Sequence, residues 1–237
     1  MEAASGSPRP PYQPARPGRR PPLSDGQPLP RARVSGFSPL TLTGDHVTLR
    51  PLDHGDLAGL QAAVSDGQLW RLWYTSIPTP EGMAAEITRR LALQQAGSMM
   101  PLTVIETRTG RVRGMTSFMH IDRATPRVEI GSTWYAASAQ RSALNTEAKL
   151  LLLTHAFDVE GCMAVEFRTH AMNHRSRQAI ERLGARHDGI LRQHMRMPNG
   201  TMRDSCVYSI TLAEWPSVRA GLRFRLADHA AGSSAAP

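Results

Sequence analysis

The stretch STWYAASAQRSALNTEAKLLLLTHAF, residues 132–157, decides how this sequence is interpreted. A partly aromatic strand leads into a short polar segment, and the segment leads into a strongly apolar helix. Phosphate-binding loops have this layout, because a helix start offers four unpaired amides and about half a positive charge to an anion. Residues 140–145 contain no glycine. The question is therefore whether this segment binds phosphate or is an ordinary loop.

The helix after this segment has clear boundaries, which we predict at residues 145 and 161. Asn145 can cap its first turn, Glu147 suits the positive end of the helix dipole, and Gly161 can end it. The run of leucines is wider than a single stripe of helix surface. We therefore expect the helix to be mostly buried.

Strand and helix signals alternate along the rest of the chain. Strands are predicted at VTLRPL (47–52), PLTVIET (101–107), RVRGMTSFMHI (111–121), RVEIGSTWY (127–135), MAVEFRTHA (163–171), ILRQHMRM (190–197) and RDSCVYSI (203–210). Further helices are predicted from Asp53 to about Ser65, from Thr79 to Gly97, from Asn173 to Gly184 and from about Ala213 onward. This order predicts an α/β fold with a mixed sheet of about seven strands and several antiparallel hairpins.

Residues 1–39 differ in composition from the rest of the chain. They hold ten of the 18 prolines, and six arginines against two acidic residues give them much of the net charge of +8. Such a segment buries too little apolar surface to fold. We expect disorder at 1–39 and 229–237, on either side of one domain at 40–228. Weak contact of the basic tail with nucleic acid or the ribosome, and a merely solvated extension, are both open interpretations.

The sequence gives no sign of a metal site, a disulfide framework or a membrane segment. Cys162 and Cys206 lie far apart without a CxxC motif, so we expect them to be buried core residues. There is no HExxH motif, and His170 and His174 lack further ligands at metal spacing. No apolar run suits a signal peptide or a membrane span. We therefore expect a cytoplasmic protein that needs no metal.

Five segments carry a family resemblance across residues 41–215: VTLRPL, VEIGSTWY, NTEAKLLLLTHAF, NHRSRQAIERLGA and RDSCVYSI. In this order they resemble the GNAT superfamily of N-acetyltransferases, and above all the branch that includes the ribosomal-protein N-terminal (Rim-type) acetyltransferases. The resemblance implies a mostly antiparallel central sheet flanked by helices, with a V-shaped splay between the two central strands. It also implies acetyl-CoA as co-substrate and direct transfer of acetyl to a primary amine.

The resemblance places the pantetheine arm of acetyl-CoA in the splay, beside a bulge in the central strand. Gly131 is the predicted bulge, because glycine relaxes the backbone there. Backbone groups of Ser132, Thr133, Trp134 and Tyr135 are then expected to face the cofactor, and an amide near Ser132 or Thr133 to donate to the thioester oxygen. The alternative is that Trp134 and Tyr135 are simply core aromatics.

The superfamily's phosphate loop has the form Gln/Arg-x-x-Gly-x-Gly/Ala. The pyrophosphate-binding residues that it implies here are Gln140, Arg141, Ser142, Ala143, Leu144, Asn145 and Thr146. Ala143 stands in the first glycine position. A positive φ there would cost about 1 kcal/mol relative to glycine, whereas a negative φ would add only a methyl group near the phosphates. In either case we expect the loop to bind the phosphates, at worst with weakened affinity. Arg141 stands where this branch often has glycine and offers a positive charge to the phosphates.

Three residues are candidates for acid–base chemistry. Glu129 is the candidate base, acting through a water; a surface carboxylate paired with an arginine is the alternative. The Asn-x-x-Ser form at 173–176 resembles the Rim-type branch, which implies that Asn173 contacts pantetheine and that Ser176 lies near the sulfur as the acid. The alternative is a Ser176 that is only bonded to Asn173 at the helix start. Tyr208 is a second candidate for the acid.

The acceptor is predicted to lie against the aromatic loop 70–78, with Trp70, Trp73 and Tyr74, and against the 194–204 hairpin. A peptide α-amine has a pKa of ~8 and a lysine side chain ~10.4, so the α-amine is more often neutral at pH 7. This favours a protein N-terminus or a small amine as acceptor. An antibiotic or polyamine acetyltransferase, and a weakly catalytic CoA-binding module that docks on RNA or the ribosome, stay open, as do a monomer and a homodimer.

Overall fold

The structure is a computed structural model that describes residues 37–234. Its strands are β1 (Leu42–Thr43), β2 (Val47–Pro51), β3 (Met99–Glu106), β4 (Val112–Asp122), β5 (Arg127–Tyr135), β6 (Ala164–His170), β7 (Arg186–Arg196) and β8 (Met202–Thr211). Its α-helices are α1 (Leu57–Ser65), α2 (Met83–Gln95), α3 (Ala143–Thr154), α4 (His174–Leu183) and α5 (Trp215–Ser234). The disorder predicted for the N-terminal tail falls almost wholly on residues 1–36, which lie outside the described range.

The strands form one eight-stranded sheet in the order β1-β2-β3-β4-β5-β6-β8-β7. Every neighbouring pair is antiparallel except β5 and β6, which run parallel. The predicted mixed, mostly antiparallel α/β fold is confirmed. The strand beyond the predicted seven is the two-residue β1, which is too short to give a sequence signal.

The two central strands separate after a short paired segment. The β5–β6 register covers only Arg127–Glu129 against Ala164–Glu166. Beyond it, β5 stays bonded to β4 as far as Tyr135, and β6 stays bonded to β8 as far as His170. The facing edges of β5 and β6 therefore diverge, which confirms the predicted splay.

The helices cover the sheet and enclose a continuous apolar core. α1 and α2 pack against β4 and β3, whereas α3 packs against β2 and α5. The leucine-rich helix is buried as expected, with Leu144, Leu152 and Leu153 at or below 5% exposure. Cys162 and Cys206 are also buried with free thiols, as predicted. None of the helices within the described range is long and apolar enough to cross a membrane.

Glu147 joins α3 to the start of the sheet. Its carboxylate accepts hydrogen bonds from the backbone amides of Asp45, His46 and Val47, at 3.0, 2.7 and 2.8 Å. A Cβ at Gly44 would overlap this carboxylate, so the turn needs glycine for space. The predicted role of Glu147 as a partner of the helix dipole is wrong, because the side chain is 7% exposed and is committed to the β1–β2 turn.

Several helix boundaries differ from the prediction. α2 begins at Met83, four residues after the predicted start, and α1 begins at Leu57, after a 3-10 turn that Asp53 caps. α3 begins at Ala143 with Ser142 as N-cap, and it continues into a π-helical turn at His155–Val159. The predicted cap, Asn145, is the third residue of the helix, because the backbone becomes helical two residues earlier. α5 extends to Ser234, past residue 228, where the sequence places the domain end.

Candidate cofactor cleft and acid–base site

The bulge in β5 lies one residue beyond its predicted position. Ser117 of β4 pairs with Gly131, whereas Met115 pairs with Trp134, so two residues of β5 oppose one of β4. The extra residue belongs to Ser132–Thr133, and Ser132 has a φ of 48°. The prediction of Gly131 as the bulge is wrong, because the positive φ falls on the serine. Residues 132 and 133 therefore depart from regular pairing with β4, in the part of β5 that has already separated from β6.

The carbonyl of Ser132, within this bulge, accepts a hydrogen bond from a buried arginine. Arg90 of α2 is 3% exposed, and its Nη2 donates to the backbone oxygen of Ser132 at 3.1 Å. Its Nη1 donates to Ser117 Oγ at 3.1 Å, and its Nε donates to Glu86 at 2.7 Å. Arg90 is not among the site residues that the sequence predicts. A signal was present, since Arg90 is a charged residue on the same helical stripe as Met83 and Ile87.

A polar chain continues on the other side of the bulge. The Thr133 hydroxyl lies 2.8 Å from that of Thr116, and it accepts from Lys149 Nζ at 3.4 Å. Lys149 lies on α3 at 7% exposure. Burial lowers the pKa of its ammonium to about 8. The bulge is thus contacted by a cationic side chain from a helix on each side.

Backbone strain in the loop before α3 falls on Arg141 and not on Ala143. Gln140 Nε2 donates to the Tyr135 carbonyl at 3.0 Å and fixes the start of the loop. Arg141 has a φ of 58°. Ala143 is the first residue of α3 and is helical, so of the two alternatives the one with a negative φ holds and the conformational cost does not arise. The residue in the left-handed region is the one that occupies a frequent glycine position of the family.

The start of α3 suits an anion. No side chain caps it, because the Ser142 hydroxyl donates instead to the Ala139 carbonyl at 2.7 Å. The backbone amides of the first turn, at Ala143, Leu144, Asn145 and Thr146, are therefore open to a ligand. The Asn145 Oδ1 atom is buried without a hydrogen-bond partner within the described residues. This loop fits a pyrophosphate group and has an unused polar atom beside it.

The two aromatics that follow the bulge lie in the core. Trp134 is 4% exposed and Tyr135 is 7% exposed. Burial strongly raises the pKa of the Tyr135 hydroxyl, which makes no hydrogen bond within the described residues. Their side chains therefore follow the alternative interpretation, that of core aromatics, and only their backbone remains available for the predicted contact with the cofactor.

Glu129 is buried beside the splay at 6% exposure. Its Oε2 lies 2.9 Å from His120 Nδ1 and 3.5 Å from Arg168 Nε. Its Oε1 accepts no hydrogen bond within the described residues. A Cβ on Gly131 would lie 2.6 Å from Oε1, so this oxygen occupies the space that glycine leaves beside the bulge. A carboxylate with one bonded and one unbonded oxygen is suited to accepting a proton.

A charged cavity of about 190 Å³ adjoins Glu129 at the paired end of β5 and β6. Its lining includes His120, Asp122, Arg127, Glu129, Glu166 and Arg168. Glu166 bonds both Arg127 and Arg168, with Arg168 Nη2 at 2.9 Å. The arginines on this side of Glu129 are therefore paired mainly with Glu166.

Asn173 and Ser176 begin α4 beyond the end of β6. Asn173 is the N-cap, as predicted, and its side chain accepts from the Ser176 amide at 3.1 Å. The Ser176 hydroxyl is half-buried and makes no hydrogen bond within the described residues. The backbone of Ser176 is used in capping, whereas its hydroxyl stays available.

Tyr208 lies on the opposite face of the sheet from Glu129. The register runs from Glu129 across β6 to Ser209, and successive residues of a strand face opposite sides. The Tyr208 hydroxyl accepts from Arg177 Nε and donates to Glu181 Oε1, both at 3.0 Å. Burial, the largest cause, raises its pKa. The structure therefore does not bring this tyrosine to Glu129.

The aromatic loop and the β7–β8 hairpin meet, as the sequence predicts. Asn199 Nδ2 donates to the Trp73 carbonyl at 3.2 Å. Trp73, which is 53% exposed, and Tyr74 contact the His170 ring with centroid distances of 5.4 and 6.3 Å. Trp70 is only partly buried and packs against the core. Trp73 and Tyr74 thus form a wall at the end of β6, and Trp70 supports the loop from behind.

Comparison with known proteins identifies the fold. Residues 46–186 match the family described as Acetyltransferase (GNAT) domain. A Bacillus subtilis (strain 168) protein named "Putative ribosomal N-acetyltransferase YdaF" is 25% identical over 175 residues, covering 72% of this chain and 94% of that protein. A GCN5-related N-acetyltransferase from Brucella melitensis superposes with a TM-score of 0.72 at 29% identity, covering 81% of this chain and 87% of that one.

A second solved structure, at lower identity, supports the fold alone. Mycobacterium smegmatis RimJ, solved in complex with CoA-disulfide, has a TM-score of 0.65 at 21% identity, covering 81% of this chain and 96% of that one.

Within residues 37–234, no group of three or more His, Cys, Asp or Glu side chains is placed to hold a metal ion.

Proposed function

This chain belongs to the GNAT family of acetyltransferases, and we propose that its acceptor is the free α-amine of a protein N-terminus. Acetyl transfer to an amine follows from the family. The proposal rests on one observation above all: Glu129 is buried beside the bulge with its Oε1 unbonded. A base in this position suits an amine whose ammonium proton is weakly held, as that of a peptide α-amine is.

GNAT acetyltransferases use acetyl-CoA, which supplies an activated acyl carbon and a thiolate leaving group. The residues present fit this co-substrate. The open amides of the first turn of α3 and the Arg141 side chain suit the pyrophosphate. The diverging edges of β5 and β6 offer backbone groups to the amides of pantetheine. In this proposal Asn145 Oδ1 accepts a hydrogen bond from the ligand, and Asn173 lies beside the pantetheine arm.

Glu129 acts as the base. At pH 7 an α-amine is mostly protonated, but its pKa of ~8 makes it far easier to deprotonate than a lysine side chain. Glu129 Oε1 takes one N–H proton, directly or through a water. The nitrogen lone pair is then free to attack the acyl carbon, while an amide of the Ser132–Thr133 bulge donates to the acyl oxygen. Arg90 and Lys149 hold the bulge in place for this donation.

The C–S bond then breaks, and the leaving thiolate takes a proton from the Ser176 hydroxyl. The attacking nitrogen, which becomes acidic once it is bonded to the acyl carbon, passes its second proton to the serine oxygen, directly or through a water, and so restores the hydroxyl. α4 lies on the face of the sheet that carries Tyr208, because Tyr208 bonds two of its side chains. Ser176 and Glu129 therefore approach the splay from opposite faces. Tyr208 is unsuited to the same role, because its proton is already donated to Glu181.

The aromatic wall at the end of β6 favours a peptide over a polyamine. The charged cavity beside Glu129 gives no such preference, because its two arginines, Arg127 and Arg168, face the carboxylates of Asp122, Glu129 and Glu166. The wall formed by Trp73 and Tyr74 offers flat apolar surface to the first side chains of a peptide. The similarity to YdaF, a protein named for ribosomal acetylation, points the same way. The alternative of a weakly catalytic module loses one of its two supports, since Ala143 does not strain the loop; the other, the basic tail, lies outside the described residues.

An acceptor screen tests this proposal. The full chain is incubated with acetyl-CoA and four acceptors: a peptide with a free α-amine and no lysine, the same peptide blocked at its N-terminus but carrying an internal lysine, an aminoglycoside, and spermidine. Release of the CoA thiol and the mass of each acceptor are measured. Acetylation of the first peptide at least ~10-fold faster than the others is expected. Preference for any other acceptor would overturn the proposal.

A further inference from the structure

His120 and Glu129 face each other across β4 and β5 in an unusual local geometry. The β4–β5 register shifts between Met119 and Asp122, and His120, inside that irregularity, has a φ of 48°. Non-glycine residues with a positive φ are uncommon, and they concentrate at functional sites where the surrounding structure holds them in place. Here the result is a hydrogen-bond distance of 2.9 Å between His120 Nδ1 and Glu129 Oε2.

We propose that His120 is a positioning residue for Glu129: it holds Oε2, so that Oε1 stays directed over Gly131 toward the bulge. This inference rests on the proposed role of Glu129 as the base. The His120 side chain is 60% exposed, whereas that of Glu129 is 7% exposed. His120 therefore reaches the carboxylate from the solvent side and leaves its inner oxygen unobstructed.

Two features together determine the direction of the carboxylate. Gly131 has no Cβ, and one placed there would lie 2.6 Å from Oε1, so glycine makes room for this orientation. The His120 donor then selects it, because a carboxylate turned away from Gly131 loses the contact at Oε2. Space alone would allow several rotamers, and the donor reduces them to one.

The other charged groups nearby do not replace His120. On β6, Arg168 Nε is 3.5 Å from Glu129 Oε2 but bonds Glu166 through Nη2 at 2.9 Å. Arg127 on β5 also bonds Glu166, while Asp122 on β4 accepts from the amides of Ala124 and Thr125. Arg203 on β8 contributes only a longer-range charge effect with Glu129. The hydrogen bond to Glu129, the largest cause, raises the pKa of His120.

Substitutions in the full chain separate positioning from general stability. His120→Leu removes the donor and is expected to lower kcat for a peptide α-amine about 10- to 100-fold, since a displaced base acts poorly. The acetyl-CoA affinity, measured by calorimetry, should change less than about twofold, because only Glu129 is disturbed. His120→Asn is expected to restore kcat to within about threefold, because asparagine tolerates the positive φ and offers an N–H near the Nδ1 position.

A double variant and a titration provide the decisive readouts. In a Glu129→Gln background, His120→Leu should cause no further loss of kcat, because both changes act through one group. NMR titration of the protein without cofactor should show a lower His120 pKa in Glu129→Gln than in the wild type. An unchanged kcat in His120→Leu, or an additive loss in the double variant, would overturn the inference.

Failure of the proposed function gives a different pattern. If Glu129→Gln keeps full activity, Glu129 is not the base and His120 does not position one, while the acceptor is still decided by the screen alone. If the wild type acetylates another amine but no peptide α-amine, only the acceptor is wrong. The same four variants are then assayed with that amine, since any amine must lose its proton to the base.

Discussion

Arg90 Nη2 donates to the Ser132 carbonyl across 3.1 Å, so one buried guanidinium joins α2 to the bulge of the central strand. The same side chain bonds Ser117 on β4 and Glu86 one helical turn earlier. Burial lowers the pKa of this guanidinium, yet the group stays charged, because arginine titrates far above neutral pH. The geometry of the bulge therefore depends on a residue outside both central strands.

Arg90→Met should destabilise the protein by about 3 kcal/mol, because a buried carbonyl and a buried hydroxyl lose their donor. CoA binding should weaken by about tenfold, as expected if the bulge relaxes by ~1.4 kcal/mol. Denaturant unfolding and calorimetry measure the two effects. Arg89→Met is the matched control, because Arg89 bonds the same Glu86 but its side chain is 52% exposed. Its stability should stay within about 0.5 kcal/mol of the wild type.

The strain at Arg141 gives a prediction with the opposite sign. Arg141→Gly should stabilise the chain by up to about 1 kcal/mol, because glycine adopts a φ of 58° without a Cβ clash. Ala143→Gly is the control two residues later, and it should destabilise by a few tenths to about 1 kcal/mol, since it places glycine inside a helix. Equal effects in urea unfolding would contradict this placement of the strain.

Gly44 and Glu147 should be coupled. Gly44→Ala alone should cost about 1–3 kcal/mol, because its methyl group meets the Glu147 carboxylate. In a Glu147→Ala background, which already loses three amide contacts, the alanine at 44 should cost little. A double-mutant cycle in urea should give an interaction energy above about 1 kcal/mol. Simple additivity would show that the turn, and not the carboxylate, requires glycine.

Sequence reasoning succeeded where the chemistry is local. The strand at 127–135 was predicted with its observed bounds, and the cap at Asn173 and the end at Gly184 follow directly from residue type. The predicted start of α3 lies too late in the chain, because the prediction makes Asn145 the N-cap instead of Ser142. The role of Glu129 as the base and that of Ser176 as the acid remain proposals.

The contacts that shape the site depend on register and long-range packing. Arg90 lies on the apolar stripe of α2, but its bonds to Ser117 and to the Ser132 carbonyl follow only from the way the helix packs on the sheet. The contact between His120 and Glu129 requires a register shift in β4 that no residue pattern announces. Glu147 bonds a turn about one hundred residues earlier in the chain. A single sequence does not contain this information in readable form.

Lys149 should make stability depend on pH. Its folded pKa of about 8 lies below the ordinary value of 10.5, so the unfolded chain binds more protons between these values. Below pH 8 the buried Lys149 therefore lowers the free energy of unfolding by about 3 kcal/mol. This loss disappears as the pH rises to about 10.5, where the lysine is neutral in the folded chain and half neutral in the unfolded one.

Lys149→Met removes this dependence while keeping a side chain of similar length. The variant should be more stable than the wild type at pH 7, and the difference should shrink toward zero by about pH 10.5. Lys149 is the only lysine of the chain, so no other ammonium side chain confuses the comparison. A difference in urea stability that stays constant with pH would show that the variant acts through packing alone.

The last prediction separates the two candidate acids. Ser176→Ala should lower kcat by about 10²-fold or more if its hydroxyl protonates the leaving sulfur, with little change in stability, because the cap at Asn173 uses the backbone amide of residue 176. Tyr208→Phe should do the reverse. It removes two hydrogen bonds, to Arg177 and Glu181, and should cost about 1–3 kcal/mol while kcat stays within about twofold. Thiol release under saturating substrates and urea unfolding give both numbers for each variant. A large loss of kcat in Tyr208→Phe with none in Ser176→Ala would assign the acid to the buried tyrosine, and it would require Glu181 to release that hydroxyl during turnover.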